Sequence, residues 1–286
     1  MFVSDGGGLP FYKMHGLGND FVIIDQRRWV SCVSQDVICR IGHRRLGLGC
    51  DQVILLRQPK QPDHEASILI YNTDGSSAEM CGNAVRCIAD ILVKETHKKA
   101  FSLETPGRSI HISVQGDAPS YRPILDMGPP YFLPDTVGNS IHEYISGLFP
   151  NTGLSFRPTI VSFGNLHAVF LVPNLEEIRL EEIGPHIEHH PVFPHGSNVE
   201  LVQVHSPTHL RMRVWERGVG ITPACGSGAC AAFAAAFKNG QVNTHATVDM
   251  EGGALKLERR PDGHVLMEGP VSYVCAGFLD RSLFDD

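Results

Sequence analysis

Hydrophobic residues along this chain fall into short runs separated by polar, glycine and proline residues, and their periods predict the secondary structure. Apolar and β-branched runs predict strands near residues 10–14, 20–25, 51–56, 67–71, 110–114, 159–163, 167–172, 198–204, 209–215, 245–250 and 254–259. Helical spacing predicts helices at 34–45, 82–96, 138–149, 175–188 and 226–239. Many strands, few helices and no regular βαβ alternation indicate an α+β fold.

The sequence repeats once along its length. A cysteine followed by glycine and a small polar residue begins a predicted helix twice, at Cys81 (MCGNAVRC) and at Cys225 (ACGSGAC), 225 − 81 = 144 residues apart. Three further pairs recur in the same order at offsets of 144 to 146: Asn19 with Asn165, Gln52 with Asn198, and Asn72 with Glu216. A repeat this long indicates a duplicated domain rather than a solenoid.

The segment GDAPSYRPILDMGPPYF (116–132) is rich in proline and glycine and predicts the domain boundary. We therefore expect a first domain over 1–125 that carries Cys81 and a second over 126–275 that carries Cys225. The last residues, from about 276 to 286, are expected to return to the first domain.

Composition narrows the possible partners. The chain has 286 residues, with 42% hydrophobic and 19% charged residues, which is ordinary for a globular protein. A formal charge of −7 argues against nucleic acid or an anionic membrane as a partner, since both need a basic face. Without an apolar run of about 20 residues or a signal-peptide pattern at the N-terminus, the sequence predicts a cytoplasmic protein.

The eight cysteines are expected to be free thiols, and no ordered Cys/His spacing predicts a metal site. Cys87 and Cys230 fall inside predicted helices and are interpreted as core residues. Cys32, Cys39 and Cys275 are also expected to pack. We interpret the histidine-rich tract HIEHHPVFPHG (186–196) as a helix end followed by a proline turn.

Cys81 and Cys225 differ from the others because each lies at the mouth of a predicted helix. A helix N-terminus favours anions, lowers the pKa of a thiol and offers N–H donors to a carboxylate. If the two halves face each other, both thiols can act on one ligand from opposite sides. A thiolate and a thiol so placed can invert a carbon that carries a proton, with the helix termini stabilising the carbanion.

The motifs around these residues resemble the diaminopimelate epimerase family of cofactor-independent, two-cysteine amino-acid epimerases. The matching stretches are MHGLGNDFVIID (14–25), GCDQVILL (49–56), YNTDGSSAEMCGNAVRC (71–87), GNLHAV (164–169), GSNVELV (196–202) and ERGVGITPACGSGACAA (216–232). The resemblance implies two pseudo-symmetric domains, each a barrel-like, mostly antiparallel or mixed sheet around a central helix, with the active site between them. It also implies conversion of LL- to meso-diaminopimelate, in lysine and peptidoglycan precursor synthesis, by a homodimer without metal or organic cofactor.

The resemblance assigns roles residue by residue. Cys81 and Cys225 would be the base and the acid, and His167 and Glu216 would orient and tune the thiols. The implied substrate-binding side chains are Asn19, Gln52, Asn72, Asn165, Asn198, Glu216 and Arg217. The backbone N–H groups of Gly82, Asn83, Gly226 and Ser227 would bind the carboxylate at the reacting carbon.

The chain departs from the family pattern at Leu166, where proline is common, at Ile221, where a polar residue is common, and at Cys50, where a small residue is frequent. Three other functions stay open. The first is a related racemase or epimerase of proline, hydroxyproline or histidine, which a distal carboxylate contact at Arg217 would disfavour. The second is a thiol redox switch that joins Cys81 and Cys225 in a disulfide. The third is a small-anion binding protein without chemistry.

Overall fold

The structure is a computed structural model, which describes residues 8–28, 33–78, 80–149 and 157–283. Cys32, predicted to pack, lies outside these residues. The chain divides into two compact units, one formed by Met1–Leu125 with Gly269–Asp286 and the other by Asp126–Glu268. The chain thus returns to the first unit at Gly269, earlier than the position near 276 expected from the sequence.

The first unit contains a mixed sheet and two α-helices. Its strands are β1 (Leu9–Gly16), β2 (Asn19–Asp25), β3 (Gln52–Arg57), β4 (Ala66–Asn72), β5 (Ser77–Ala78), β6 (Ala100–Glu104), β7 (Ser109–Gln115), β8 (Arg122–Asp126) and β18 (Ser272–Leu279). Its helices are α1 (Gln35–Gly42) and α2 (Gly82–Thr96), and a 3₁₀ turn lies at Arg281–Leu283. β1 lies between β18 and β2 in antiparallel pairing. β3 is parallel to β2 and antiparallel to β4, which also pairs with β5 and, in parallel, with β6. β7 pairs antiparallel with β6 and with β8.

The second unit repeats this order of pairings. Its strands are β9 (Tyr131–Phe132), β10 (Thr159–Ser162), β11 (Leu166–Leu171), β12 (Asn198–Ser206), β13 (His209–Glu216), β14 (Gly220–Thr222), β15 (His245–Met250), β16 (Gly253–Arg259) and β17 (Val265–Glu268). Its helices are α3 (Asp135–Leu148), α4 (Leu180–Glu188) and α5 (Gly226–Lys238), with a 3₁₀ turn at Leu175–Glu177. β10 lies between β9 and β11, β12 is parallel to β11 and antiparallel to β13, and β13 pairs with β14 and, in parallel, with β15.

The strand registers carry the same repeat. In the first unit Phe21 of β2 is opposite Gln52 of β3. In the second unit His167 of β11 is opposite Asn198 of β12. Both steps equal 146 residues (167 − 21 and 198 − 52), the offset found in the sequence. The parallel strand pairs β2–β3 and β11–β12 are therefore built in the same register.

The apolar runs of the central strands have a common cause, which is burial on both sheet faces. In β2, Val22 and Ile24 belong to the hydrophobic cluster that includes buried residues of α1. Phe21 and Ile23 point to the opposite face of the sheet, because side chains alternate along a strand. All four side chains are fully buried. In the second unit, α3 and α4 cover one face. The alanine-rich helix α5 contacts β10, β11, β12, β13, β15, β16 and β17. Small side chains let the strands approach α5 on several sides, which explains its plain sequence.

Each predicted strand and helix overlaps an observed element, and the α+β class is confirmed. The sequence analysis did not predict seven of the observed strands, which are β5, β6, β8, β9, β14, β17 and β18. The predicted helix over 175–188 is wrong in one respect, because it is split. Asn174 accepts a hydrogen bond from the backbone N–H of Glu176 and caps the 3₁₀ turn, after which Ile178 adopts an extended backbone and is buried. Burying Ile178 requires the chain to leave the helix before α4 starts. None of the helices in the described ranges is long and apolar enough to cross a membrane.

Candidate active site

Cys81 and Cys225 each occupy the N-cap of a buried helix, as the sequence predicted. Cys81 precedes α2 with φ −144° and ψ 106°, and Cys225 precedes α5 with φ −127° and ψ 116°. Both residues are thus extended, immediately before the first helical turn. The first N–H groups of a helix have no acceptor within it, and the positive end of the helix dipole lies there. Each unit therefore presents a thiol beside an anion-binding helix terminus.

In the first unit, the Cys81 thiol faces the amide of Asn19. Its Sγ donates to Oδ1 of Asn19 over 3.5 Å, and Nδ2 of Asn83 donates to the same oxygen over 3.2 Å. Nη2 of the buried Arg86 donates in turn to Oδ1 of Asn83 over 2.9 Å. These bonds hold three of the predicted site residues together at the start of α2.

Asp51 fixes the other end of the Asn19 amide, a role that the sequence analysis missed. Oδ2 of Asp51 accepts from Nδ2 of Asn19 and from the backbone N–H of Asp20, both over 3.0 Å. Arg44 bridges Asp51 and Asp20, and Lys13 donates to Asp20 over 2.5 Å. Although burial opposes ionisation, the hydrogen bonds from Arg44 and Lys13 lower the pKa of Asp20. The motif GCDQ offered the signal for Asp51, directly before the predicted binding residue.

Gln52 and Asn72 lie opposite each other on β3 and β4. Nε2 of Gln52 donates to Oδ1 of Asn72 over 3.0 Å, and Nδ2 of Asn72 donates to Oγ of Ser76. Oε1 of Gln52 is buried and has no hydrogen-bond partner among the described residues. Since a buried acceptor without a partner is costly, this oxygen is suited to receive a donor from a ligand.

In the second unit, Cys225 is buried, with 6% of the residue exposed. Its Sγ accepts the backbone N–H of Gly228 over 3.4 Å and lies 3.6 Å from Oγ of Ser227. Burial raises the pKa of the Cys225 thiol well above its ordinary value, and the carboxylates of Glu216 and Glu200 add to the rise. The expectation that the helix mouth lowers this pKa is therefore wrong, because desolvation and two carboxylates outweigh the helix terminus.

Glu216 contacts Cys225 directly. The Thr222 hydroxyl donates to Oε1 of Glu216, and the Cys225 thiol is hydrogen-bonded to the same carboxyl group. Burial raises the pKa of the Glu216 carboxyl above its ordinary value, although both hydrogen bonds act against the rise. The thiol and the carboxyl group are therefore hydrogen-bonded to each other in a desolvated environment.

His167 lies at the centre of a buried polar chain. Its Nδ1 is 2.6 Å from Oε1 of Glu200, and both side chains are fully buried. Its Nε2 is 3.2 Å from Oδ1 of Asn165, whose Nδ2 donates to Oγ of Ser227 over 3.3 Å. The sequence analysis missed Glu200. Its only signal was a charged residue inside the apolar run NVELV.

Asn198 and Arg217 meet at the turn after β13. Oδ1 of Asn198 accepts the backbone N–H of Arg217 over 3.0 Å, while its Nδ2 donates to the carbonyl of Leu166. The Asn198 amide therefore binds backbone groups on two segments of the chain. The Arg217 side chain is exposed, and its Nη1 donates to the carbonyl of His195 over 3.2 Å. Leu166 is itself a regular strand residue opposite Ser162.

Glu188 is a second residue that the sequence analysis missed. It is 5% exposed, and its two carboxylate oxygens accept from Nε1 of Trp215 and from the backbone N–H of Gly218, each over 2.7 Å. These two donors flank Glu216 and Arg217 in the chain. The end of α4 thus braces the turn that carries both predicted site residues.

The remaining cysteines and the histidine-rich tract take structural places. Cys87 and Cys230 are fully buried, as predicted, whereas Cys39 is half-buried. Cys275 is exposed, so its predicted packing is wrong, because it lies on the exposed stretch of β18. In the tract, α4 ends at Glu188 and the ring of His190 packs edge-on against Tyr144. No group of three or more His, Cys, Asp or Glu side chains in the described parts of the chain could hold a metal ion.

The chain matches one family of known proteins over most of its length. The family model described as "Diaminopimelate epimerase" matches residues 11–133 and 159–274. A diaminopimelate epimerase of Rhodospirillum centenum is 39% identical over 277 residues, covering 96% of this chain and 93% of the relative.

Two solved structures share the fold. One is described as a "Predicted Epimerase" from Pseudomonas aeruginosa, with a TM-score of 0.71, 16% identity, and coverage of 95% of this chain and 99% of that chain. The other is a probable proline racemase from Agrobacterium radiobacter, with a TM-score of 0.68, 14% identity, and coverage of 97% and 94%. At these identities the solved structures bear on the fold alone, whereas the family model and the full-length relative identify the family. The chain belongs to the diaminopimelate epimerase family.

Proposed function

We propose that this protein converts LL-diaminopimelate to meso-diaminopimelate by proton transfer at one α-carbon, with Cys81 and Cys225 as the two proton-transfer groups. The observation that carries the proposal is the placement of a thiol at the N-cap of the buried helix in each of two repeated units. Membership of the diaminopimelate epimerase family supports the choice of substrate.

The reaction needs one thiolate and one thiol. The thiolate removes the α-proton from one face of the carbon, and the thiol gives its proton to the other face. One C–H bond breaks and one forms, so the two sulfurs exchange protonation states and no electrons leave the substrate. The pair therefore runs in both directions without an added reductant or oxidant.

The carbanion intermediate needs its charge stabilised on the adjacent carboxylate. The N–H groups of Gly82 and Asn83, and those of Gly226 and Ser227, belong to the first turns of α2 and α5, where no acceptor within the helix is available. Fixed donors of this kind stabilise developing charge without rearranging during the reaction. These four groups are the proposed carboxylate clamp.

Glu216 is proposed as the proton partner of Cys225. Its hydrogen bond to the thiol and the raised pKa values of both groups favour a neutral, proton-bearing Cys225 in the absence of substrate. His167, together with Asn165, is proposed to orient the start of α5 through Ser227. The unpartnered Oε1 of Gln52 supports a role in accepting the substrate ammonium group.

Arg217 is proposed to bind the distal carboxylate of diaminopimelate. Its exposed guanidinium has one carbonyl partner at 3.2 Å, so it retains donors for a planar carboxylate. A single-carboxylate substrate such as proline has no group for this contact. Arg217 is thus the residue that favours diaminopimelate over the substrates of related racemases.

The test is proton exchange in D2O. The reduced protein is incubated with LL-diaminopimelate, without pyridoxal phosphate and with EDTA present, and α-deuterium uptake and meso product are followed by NMR and chiral chromatography. We expect exchange together with epimer formation. Activity confined to proline, hydroxyproline or histidine would overturn the substrate assignment. A protein that epimerises none of these amino acids and joins Cys81 and Cys225 in a reversible disulfide would favour the redox switch.

We further expect a homodimer, a cytoplasmic location, and no need for a metal or organic cofactor. These expectations come from the sequence and its resemblance to the family, and they stay predictions.

A further inference from the structure

A carboxylate and an imidazole are paired in the fully buried interior of the second unit. Nδ1 of His167 lies 2.6 Å from Oε1 of Glu200, and neither side chain has any exposed surface. Nε2 of His167 is directed at Oδ1 of Asn165, whose own Nδ2 donates to Ser227. One ring nitrogen therefore faces a carboxylate oxygen and the other faces an amide oxygen, so the ring is held between Glu200 and Asn165.

The equivalent positions in the first unit show which side chains the fold accommodates at the sites of His167 and Glu200. His167 and Glu200 are 146 residues after Phe21 and Ile54, and the strand registers preserve that offset. Phe21 and Ile54 are fully buried. The repeated architecture thus accommodates two apolar side chains where the second unit buries an imidazole and a carboxylate.

Burying a carboxylate is expensive unless its oxygens are fully hydrogen-bonded, and apolar side chains of similar size usually serve the core as well or better. Oε2 of Glu200 also lacks a hydrogen-bond partner among the described residues, which adds to the cost. Stability of the core therefore does not account for this pair.

The pair adjoins the thiol helix. A Cβ atom at Gly228 would lie 2.8 Å from Oε1 of Glu200 and 3.4 Å from Sγ of Cys225. Glu200 consequently packs against the first turn of α5, beside the thiol, and only glycine at 228 leaves it room. The Glu200 carboxylate therefore contacts this turn directly at Gly228. It is also connected to the turn by hydrogen bonds through His167, Asn165 and Ser227.

We propose that Glu200 is a positioning residue for the epimerisation. Its carboxylate holds His167 by Nδ1, so that Nε2 holds Asn165, and Asn165 in turn holds Ser227 at the helix terminus beside Cys225. The expected effect on catalysis rests on the proposed function. The placement of the His167 ring by Glu200 can be measured whether or not that function is correct.

The main test compares Glu200→Gln with wild type. Glutamine keeps one oxygen to face Nδ1 but replaces the carboxylate with an uncharged amide. We expect kcat to fall about 10- to 100-fold, since a displacement of about 1 Å at a site can cost this much, with KM changed much less. In 15N-edited NMR at pH 7, the chemical shifts of Nδ1 and Nε2 of His167 should differ between wild type and Glu200→Gln.

Two further variants separate positioning from folding. The double variant His167→Phe/Glu200→Ile copies the apolar pair of the first unit and should melt no lower than wild type while losing activity. Glu104→Gln removes another buried carboxylate, one that accepts the backbone N–H groups of Lys60 and Gln61, and should leave kcat unchanged.

The two readouts also keep this proposal distinct from the proposed function. If Glu200→Gln kept wild-type kcat and the wild-type chemical shifts of the His167 ring, the proposal would be overturned. Changed ring shifts support the placement of His167 by Glu200 even if wild type proves inactive on diaminopimelate, an outcome that would overturn the catalytic part of the inference. A double variant that unfolds would contradict the argument that the fold needs only apolar residues there.

Discussion

The backbone N–H of Gly228 donates a hydrogen bond to Sγ of Cys225 over 3.4 Å, so the thiol caps the helix that it precedes. The bond ties the position of the sulfur to the first turn of α5. Cys81 occupies the same N-cap position on α2, but its thiol instead donates to Asn19. The two thiols thus occupy matching places in the repeat and have different hydrogen-bond partners.

Replacing Gly228 with alanine should lower activity without unfolding the protein. Alanine favours a helix by about 1 kcal/mol over glycine, but its Cβ would lie 2.8 Å from Oε1 of Glu200 and force that group or the helix to shift. We expect kcat to fall about 10- to 100-fold, since a displacement of about 1 Å at a site can cost this much. Steady-state kinetics and thermal melting measure both effects.

The matched control is Gly147→Ala in α3. A Cβ at Gly147 would meet nothing within 4 Å, so this variant should gain roughly 0.5–1 kcal/mol of stability and keep full activity. Equal activities for the two variants would show that the space beside Glu200 has no functional importance.

Cys81→Ser and Cys225→Ser should each reduce epimerisation by at least about 100-fold, the lower end of what a general acid or base contributes. A hydroxyl is far less acidic than a thiol, so either proton-transfer step fails. Cys275→Ser serves as the control because Cys275 is exposed on β18 and lies outside the proposed site. Circular dichroism checks that each variant is folded. Near-full activity in either N-cap variant would contradict a mechanism that uses both thiols.

The raised pKa of Cys225 predicts slow alkylation at neutral pH. The thiolate is the reactive form, and burial with the carboxylates of Glu216 and Glu200 disfavours it. In a pH series with iodoacetamide, read by peptide mass spectrometry, Cys225 should react with a midpoint above that of an ordinary cysteine. Glu216→Gln should move this midpoint to lower pH, because one of the two negative charges is gone. A midpoint unaffected by this substitution would remove Glu216 as a tuning residue.

Glu216 should also make stability depend on pH. Burial raises the pKa of the Glu216 carboxyl in the folded protein above its value in the unfolded chain, near 4.5. The free energy of unfolding that this shift contributes is therefore fully present below the unfolded pKa. It is lost as the pH rises through the folded pKa. The melting temperature of Glu216→Gln relative to wild type should therefore increase as pH rises through that window. A constant difference across the window would mean that the carboxyl group is not desolvated in the folded protein.

Arg217→Lys should weaken the use of diaminopimelate selectively. Lysine keeps the charge but cannot hold a carboxylate through two parallel N–H groups. Losing a hydrogen bond to a charged group costs about 1.5–3 kcal/mol, or roughly 10- to 100-fold in kcat/KM. The substrate panel of the D2O experiment is the measurement. An unchanged kcat/KM would indicate that another residue binds the distal carboxylate.

Much of this molecule could be predicted from its sequence because the signals are local. The helix over 82–96 starts and ends where the sequence placed it, since an N-cap, an apolar stripe and a final basic residue all act within a few turns. The repeat predicted which residues would share equivalent positions, and the registers of β2–β3 and β11–β12 agree with it. The short strands β5, β9 and β14 were missed, because two or three residues carry no measurable period. The longer strands β6, β8, β17 and β18 were also missed.

The sequence by itself determined the α+β elements, the duplicated order and the two cysteines at helix mouths. It did not determine the environment of those cysteines. Glu200 and His167 are 33 residues apart, and only the parallel pairing of β11 with β12 brings them within 2.6 Å of each other. The direction of the Cys225 pKa was likewise decided by tertiary structure, because desolvation and neighbouring charge depend on how distant segments enclose a group, whereas a helix terminus is a property of the local chain.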